Sequence, residues 1–200
     1  MCSSDLHIIE TITGQSLRDF AKENIFDILG MQYTDYLPTI QQQDGKWINT
    51  VACPWMDRIA PTEKQKDGSV LCGQVHDPLA RILNGGISGN AGIFSNANDI
   101  GILAAALLNG GEYNGRRILS PLGVKTMCTV PRELTAFGRT PGWDIFSPYA
   151  SNKGDLFSPN TFGHTGYTGT SIIIDPDNDT AVILLVNAVH PEDRHSRSEE

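Results

Sequence analysis

The stretch Phe162-Gly163-His164-Thr165-Gly166-Tyr167-Thr168-Gly169-Thr170 runs directly into Ser171-Ile172-Ile173-Ile174-Asp175-Pro176, and its reading decides the fold. The β-branched and apolar run at 170–174 and a second one at 180–186 predict two strands. Asp175-Pro176-Asp177-Asn178-Asp179 supplies the turn of an antiparallel hairpin between them. The unbroken apolar character of Ala181–Val186 predicts a central strand covered on both faces by helices. Glycine at 163, 166 and 169 lets another backbone or a ligand approach closely, with an ionisable His164 and a hydroxyl at Thr165 between them. In a regular strand His164 and Gly166 share one face and Thr165 takes the other. On pattern alone two readings stand: the wall of a binding site, or a glycine-rich lead-in to a strand that carries a surface histidine.

Working outward, helical signals precede this hairpin. Residues 7–13 read as the last turns of a helix. Ser16 N-caps the next one with Asp19 three residues on, Leu17, Phe20, Ala21, Ile25, Ile28 and Leu29 make its apolar stripe, and Gly30 stops it. Residues 31–75 read as irregular, punctuated by Pro38, Asp44-Gly45, Pro54, Pro61 and Asp67-Gly68, a length that usually lines a site or covers a sheet edge. Asp77-Pro78 opens a short helix ending near Asn84-Gly85-Gly86. Ser95 opens a longer one buried through Ile100, Leu103, Ala104, Leu107 and Leu108 and ended by Gly110-Gly111. Asn114-Gly115 is a tight turn, and Ser120-Pro121 starts a further helix. The pattern is a mixed α/β layer fold with an antiparallel sheet.

The chain has 200 residues, 40% of them hydrophobic and 19% charged, with a net charge of −8. This is globular composition, with no apolar run long enough to be a transmembrane segment and an acidic balance that argues against nucleic acid as a partner. Cysteines at 2, 53, 72 and 128 form no CxxC pair, so neither a disulfide framework nor a zinc site is expected. Cys53, Cys72 and Cys128 read as unpaired thiols, buried or half-buried. No cofactor and no metal is expected. His76-Asp77 is better read as a cap than as a ligand pair, and His190 and His195 as part of a solvated tail. Ser88, in Gly-Ile-Ser-Gly-Asn, does not match the Gly-x-Ser-x-Gly nucleophile elbow.

Both termini carry another signal. Met1–Leu6 is what GTG TGC TCT TCC GAT CT encodes with GTG as start codon, and Arg197–Glu200 is what AGA TCG GAA GAG encodes. Both match sequencing adapters in the orientations of the two ends of an insert. Residues 1–6 and 197–200 are therefore read as adapter-derived, and 7–196 as a partial domain of a longer, metagenomic gene.

Gly163-His164-Thr165-Gly166-Tyr167-Thr168-Gly169-Thr170-Ser171 resembles the third motif of the serine β-lactamase and penicillin-binding-protein family, where Lys or His, Thr or Ser, and Gly lie on the strand edging the active site. Thr13-Gly14-Gln15-Ser16-Leu17 through Leu29-Gly30-Met31 is similar to the helix after the family's second motif. Gly85-Gly86 with Ala91-Gly92-Ile93-Phe94-Ser95 and Asp99-Ile100 is similar to its glycine-rich turn and following helix. Leu108-Asn109-Gly110-Gly111 and Ile118-Leu119-Ser120-Pro121 fit as well. The resemblance covers nearly all of residues 7–190. It implies a β-lactamase-like three-layer α-β-α fold, here incomplete at its N-terminus. It also implies a small-molecule or peptide acyl substrate and a bacterial periplasm or cell-envelope setting.

Members of that family use a Ser-x-x-Lys nucleophile motif and a Tyr-x-Asn type motif. The residues three before each lysine here are Asp19, Gln43, Pro61, Glu63, Leu122 and Ala150, none of them serine, and there is no Tyr-x-Asn. Tyr149-Ala150-Ser151 lies in the wrong order among the other segments and reads as loop. The resemblance thus implies roles for one wall of a site. His164 takes the electropositive position, Thr165 and Gly166 bind substrate, and the backbone N–H of Tyr167 is half of an oxyanion hole. Histidine in place of lysine fits esterase or peptidase chemistry better than penicillin hydrolysis. The competing expectation is a non-catalytic binding or accessory module fused to a cell-wall or glycan-active enzyme.

Overall fold

The structure, a computed structural model, describes residues 2–148 and 153–193. The chain divides into two compact units, one built mainly from residues up to Ser95 and the other mainly from Asn96–Val186, with the segment from Asn187 belonging to the first.

The first unit begins with helix α1 (Cys2–Thr13). A continuous helical run follows as α2 (Leu17–Ala21), a wider π turn (Lys22–Phe26) and α3 (Asp27–Leu29), whose residues from Ile28 on are counted with the second unit. Ser16 caps it as expected: its hydroxyl accepts from the backbone N–H of Asp19 and donates to the Asp19 carboxylate at 2.7 Å. Gly30 stops the run in the left-handed conformation. The segment expected to be irregular contains more regular structure than its turn residues indicate. Strand β1 (Asp35–Tyr36) is followed by a hairpin of β2 (Thr39–Gln41) and β3 (Trp47–Asn49), then a 3-10 turn at Met56–Arg58. Asp44-Gly45 is the hairpin turn, with Gly45 at positive φ. Helix α4 (Pro78–Ile82) has Asp77 as its cap, and β4 (Ile93–Phe94) pairs with β1.

The second unit opens with α5 (Ala97–Leu108), whose cap is Asn96 rather than Ser95; the Asn96 side chain accepts from the Asp99 N–H. Strands β5 (Glu112–Tyr113) and β6 (Arg116–Arg117) form the expected tight hairpin over Asn114-Gly115, both at positive φ. Helix α6 (Pro121–Met127) is capped by Ser120. Strands β7 (Phe162–Thr165), β8 (Ser171–Asp175) and β9 (Thr180–Leu184) make an antiparallel sheet in that order.

Strand pairing puts Phe162, His164, Ile172, Ile174, Ala181 and Ile183 on one face of this sheet. Phe162 and Ile174 on that face pack with Ala104 and Leu107 of α5, Val124 of α6 and Ile145 into the core of the unit. Burying a side chain the size of Phe162 contributes roughly 1.5–3 kcal/mol. The expectation of a doubly covered strand at Ala181–Val186 is corrected. Among the described residues β9 is an edge strand. Its side chains alternate between partly covered Ala181 and Ile183 and outward Val182 and Leu184, which are 45% and 52% exposed. Leu185 and Val186 lie past its end and are exposed too. A run of apolar residues has no periodicity with which to separate burial on two faces from burial on one.

Candidate active site

The glycine-rich motif folds as strand β7 followed by a tight loop. Gly166 N–H donates to the Thr170 carbonyl at 2.7 Å, and Gly169 N–H to the Gly166 carbonyl at 2.9 Å. Gly163 is required sterically by the backbone beside it, whereas Gly166 is crowded by a side chain. A Cβ at Gly163 would collide with the Ile172 carbonyl oxygen, and one at Gly166 with the Thr170 hydroxyl. These glycines therefore serve the closeness of β7 to β8 and of the loop to its own far side. Gly169 adds a positive φ that closes the turn.

His164 and Thr165 are consecutive in β7, so their side chains take opposite faces, and Gly166 and Tyr167 lie in the loop beyond. The structure thus brings the four expected site residues together along one short stretch at the end of strand β7 without stacking them on a single face. His164 and the Tyr167 side chain are exposed, and Thr165 is half-buried.

Three residues that the sequence did not single out surround the histidine. Arg139 Nη2 lies 3.2 Å from His164 Nε2, while His164 Nδ1 lies 2.8 Å from the Thr165 carbonyl oxygen. Arg139 Nε is 2.8 Å from Asp144 Oδ1, and the Ser147 hydroxyl donates to that same oxygen at 2.6 Å. Asp144 is only 3% exposed and is tied to β7 by a reciprocal backbone pair. Its N–H donates to the Gly163 carbonyl at 2.9 Å and its carbonyl accepts from Gly163 N–H at 3.0 Å. Arg139 and Asp144 face each other across the turn Thr140-Pro141-Gly142-Trp143, closed by Thr140 N–H on the Trp143 carbonyl at 2.8 Å. Trp143 packs on Phe162 with ring centroids 5.2 Å apart. The available signal was an oppositely charged pair flanking a Pro-Gly turn; that this turn meets β7 is a long-range fact.

The remaining candidates resolve as structural. Asp77 caps α4 by accepting from Ala80 N–H at 2.7 Å, and His76 Nε2 sits 3.2 Å from Glu63 Oε2. No group of three metal-type side chains occurs among the described residues. Ser88 is buried and bonded to Asn84 and Asn90. His190, expected in a solvated tail, is exposed but its Nδ1 meets the Thr62 carbonyl at 2.7 Å. Beside it Asn187 donates to the Pro61 carbonyl, and Pro191 accepts from Lys64 N–H. Three carbonyl and amide partners hold this segment, so it is docked rather than solvated. Cys53 and Cys128 are half-buried, and burial pushes the Cys128 thiol up to about 11. Cys72, expected to be at least half-buried, is exposed, its thiol turned to the Ile59 carbonyl. Tyr149-Ala150-Ser151 and His195 lie outside the described residues. No helix among the described residues is long and apolar enough to cross a membrane.

A protein of Escherichia coli K12 provisionally named D-alanyl-D-alanine carboxypeptidase is 36% identical over 197 residues, covering 92% of this chain and 42% of its own length. A similarly named protein of Salmonella gallinarum is 34% identical, with 92% and 43% covered. The chain thus spans less than half the length of these curated relatives. Among solved structures, simvastatin synthase of Aspergillus terreus matches with a TM-score of 0.61 at 17% identity, covering 91% of this chain and 47% of that one. A penicillin-binding-protein homologue of Caulobacter crescentus matches with a TM-score of 0.57 at 18% identity, covering 91% and 49%. These neighbours share the mixed α/β, β-lactamase-like fold expected from the sequence. The family model described as Beta-lactamase matches residues 7–200, and the chain belongs to that family.

Proposed function

We propose that the protein supplies the third-motif wall of a serine hydrolase. The enzyme would cleave an ester, a β-lactam or, best supported, a peptide ending in a D-amino acid. The observation that carries this reading is the Gly163–Gly166 motif at the end of strand β7, in a chain whose 36%-identical relative bears a carboxypeptidase name. In that chemistry a serine Oγ adds to the substrate carbonyl as its proton passes to a neighbouring base. The leaving amine departs protonated, and water then cleaves the acyl-enzyme to acid and free serine. The Tyr167 N–H would stabilise the oxyanion, and Thr165 would hydrogen-bond the substrate carboxylate or carbonyl.

Within these 200 residues no lysine has a serine three positions before it, so the nucleophile pair is expected outside this sequence, and the chain alone is expected to be inactive. The same absence is what favours the second reading, an accessory module. Release of D-alanine from diacetyl-Lys-D-Ala-D-Ala separates the two. The full reading frame is expected to turn over, Thr165→Val is expected to raise KM with little change in kcat, and the present chain is expected to stay at background. Turnover by the present chain that His164→Ala abolishes would overturn the division of the site. A full frame without Ser-x-x-Lys would favour the accessory module.

A further inference from the structure

We propose that Arg139 is a positioning residue that fixes the imidazole of His164 in its Nδ1-protonated tautomer, so that the permanent positive charge beside the motif belongs to Arg139. The inference follows from what each neighbour can do. A guanidinium only donates, so His164 Nε2, 3.2 Å from Arg139 Nη2, acts as the acceptor. A backbone carbonyl only accepts, so Nδ1, 2.8 Å from the Thr165 oxygen, carries the proton. The Nε2-protonated tautomer would set donor against donor at Arg139 and acceptor against acceptor at Thr165. An imidazolium would set an N–H against the guanidinium. Only one form satisfies both contacts.

The guanidinium is itself held by the strand whose histidine it orients. Its Nε pairs at 2.8 Å with buried Asp144, whose backbone is bonded in both directions to Gly163, the residue before His164. Ser147 donates to that same carboxylate oxygen at 2.6 Å. Among the described residues the charged groups Arg139 and Asp144, arriving on the 139–147 turn, meet the titratable His164 on β7 at this point. A histidine with its ring nitrogens committed in this way is an acceptor toward the guanidinium and a donor toward the strand backbone. The geometry stands by itself, and its meaning for acyl transfer rests on the reading of the motif given above.

The test uses the present chain without substrate. Long-range proton–nitrogen correlation spectra of the 15N-labelled chain at about pH 8, above the ordinary imidazole range, report the tautomer directly. Wild type is expected to show a protonated Nδ1 and a bare Nε2 at His164. Arg139→Met, which removes the donor, is expected to move His164 toward a mixture of the two tautomers. Arg139→Lys, which restores a donor, is expected to return it toward wild type. His190, whose Nδ1 faces the Thr62 carbonyl, serves as the internal reference and should not respond. A protonated Nε2 at His164 in wild type, or an Arg139→Met spectrum identical to wild type, overturns the proposal. If Arg139→Met does not fold, Arg139→Gln replaces it: it keeps a neutral donor, and the Nδ1 form should persist, with its loss counting against the proposal. Because no turnover is measured, inactivity of the full reading frame would count against the proposed function and leave this result untouched.

Discussion

Two buried carboxylates in the same unit solve the same problem in different ways. Asp175, 1% exposed, ends β8 and is held by neutral donors from its own neighbourhood: the Ser158 hydroxyl at 2.6 Å, Ser158 N–H, Asn178 Nδ2 at 2.8 Å and Asp177 N–H. Asp144, 3% exposed, is held by the Ser147 hydroxyl and by a guanidinium that reaches on to His164. Burial disfavours the charge of Asp175, but the Ser158 and Asn178 side chains and two backbone N–H groups outweigh it and keep its carboxyl well below the ordinary carboxylate value. Lys153, nearby, turns its ammonium to the Ile145 and Pro159 carbonyls. A carboxylate satisfied by neutral donors of its own turn and of Ser158 ties the hairpin to the Ser158 loop, whereas one satisfied by a long charged side chain also orients whatever that side chain touches.

The largest effect is therefore expected at Asp175. Asp175→Ala strands four donors, two on the β8–β9 turn and two on Ser158, and should lower the melting temperature by on the order of 5–10 °C. The sign of its pH dependence follows from its depressed folded-state value. The contribution is complete above the unfolded carboxylate range, about pH 4, and is lost as pH falls through the lower folded value. Thermal melts of wild type and Asp175→Ala should therefore converge on acidification below about pH 4. Curves that stay parallel down to acid unfolding would break the assignment of Asp175 as an ionised lock.

Asp144→Ala comes next, at about 1–2 kcal/mol, because the half-exposed Arg139 recovers solvation once its partner is gone. Its effect should spread where that of Asp175 does not. In double-mutant cycles, Asp144→Ala and Arg139→Met should couple, whereas Asp175→Ala and Arg139→Met should add within a few tenths of a kcal/mol. Additivity in both cycles would erase the distinction drawn between the two carboxylates.

The asymmetry also explains what could be read from the sequence. Asp175 sits in a turn that Asp175-Pro176-Asp177-Asn178-Asp179 announces locally, and the caps at Ser16, Asp77 and Ser120, the Asn114-Gly115 turn and the β8–β9 pairing were legible for the same reason. Each is written within a few adjacent residues. The hairpin of β2 and β3 was missed because Asp44-Gly45 was read as punctuation in a polar stretch rather than as a turn between two short strands. The exposure of Val182 and Leu184 was missed because β-branched sequence does not state how many neighbours a strand has. Of the candidate site, the motif on β7 was legible. Its Arg139–Asp144–Ser147 support was not, because the contact between Arg139 and His164 spans 25 residues.

The smallest effect is expected at Ser147, and it tests the comparison most finely. Ser147→Ala removes one donor from Asp144 Oδ1 while Arg139 Nε remains on that same oxygen and the backbone pair with Gly163 is untouched. The loss should be about 1 kcal/mol or less by chemical denaturation. It should leave the His164 tautomer as in wild type, because nothing in the route from Asp144 through Arg139 to the imidazole has been cut. Ser158→Ala is the matched change on the other carboxylate. It deletes the 2.6 Å hydroxyl contact to Asp175 but keeps the Ser158 N–H at 3.0 Å. That hydroxyl is a principal source of the depressed Asp175 value, so its removal should shrink the stability that wild type loses on acidification below about pH 4. An acid profile of Ser158→Ala identical to that of wild type would mean that this hydroxyl does not hold the Asp175 carboxylate in its ionised form.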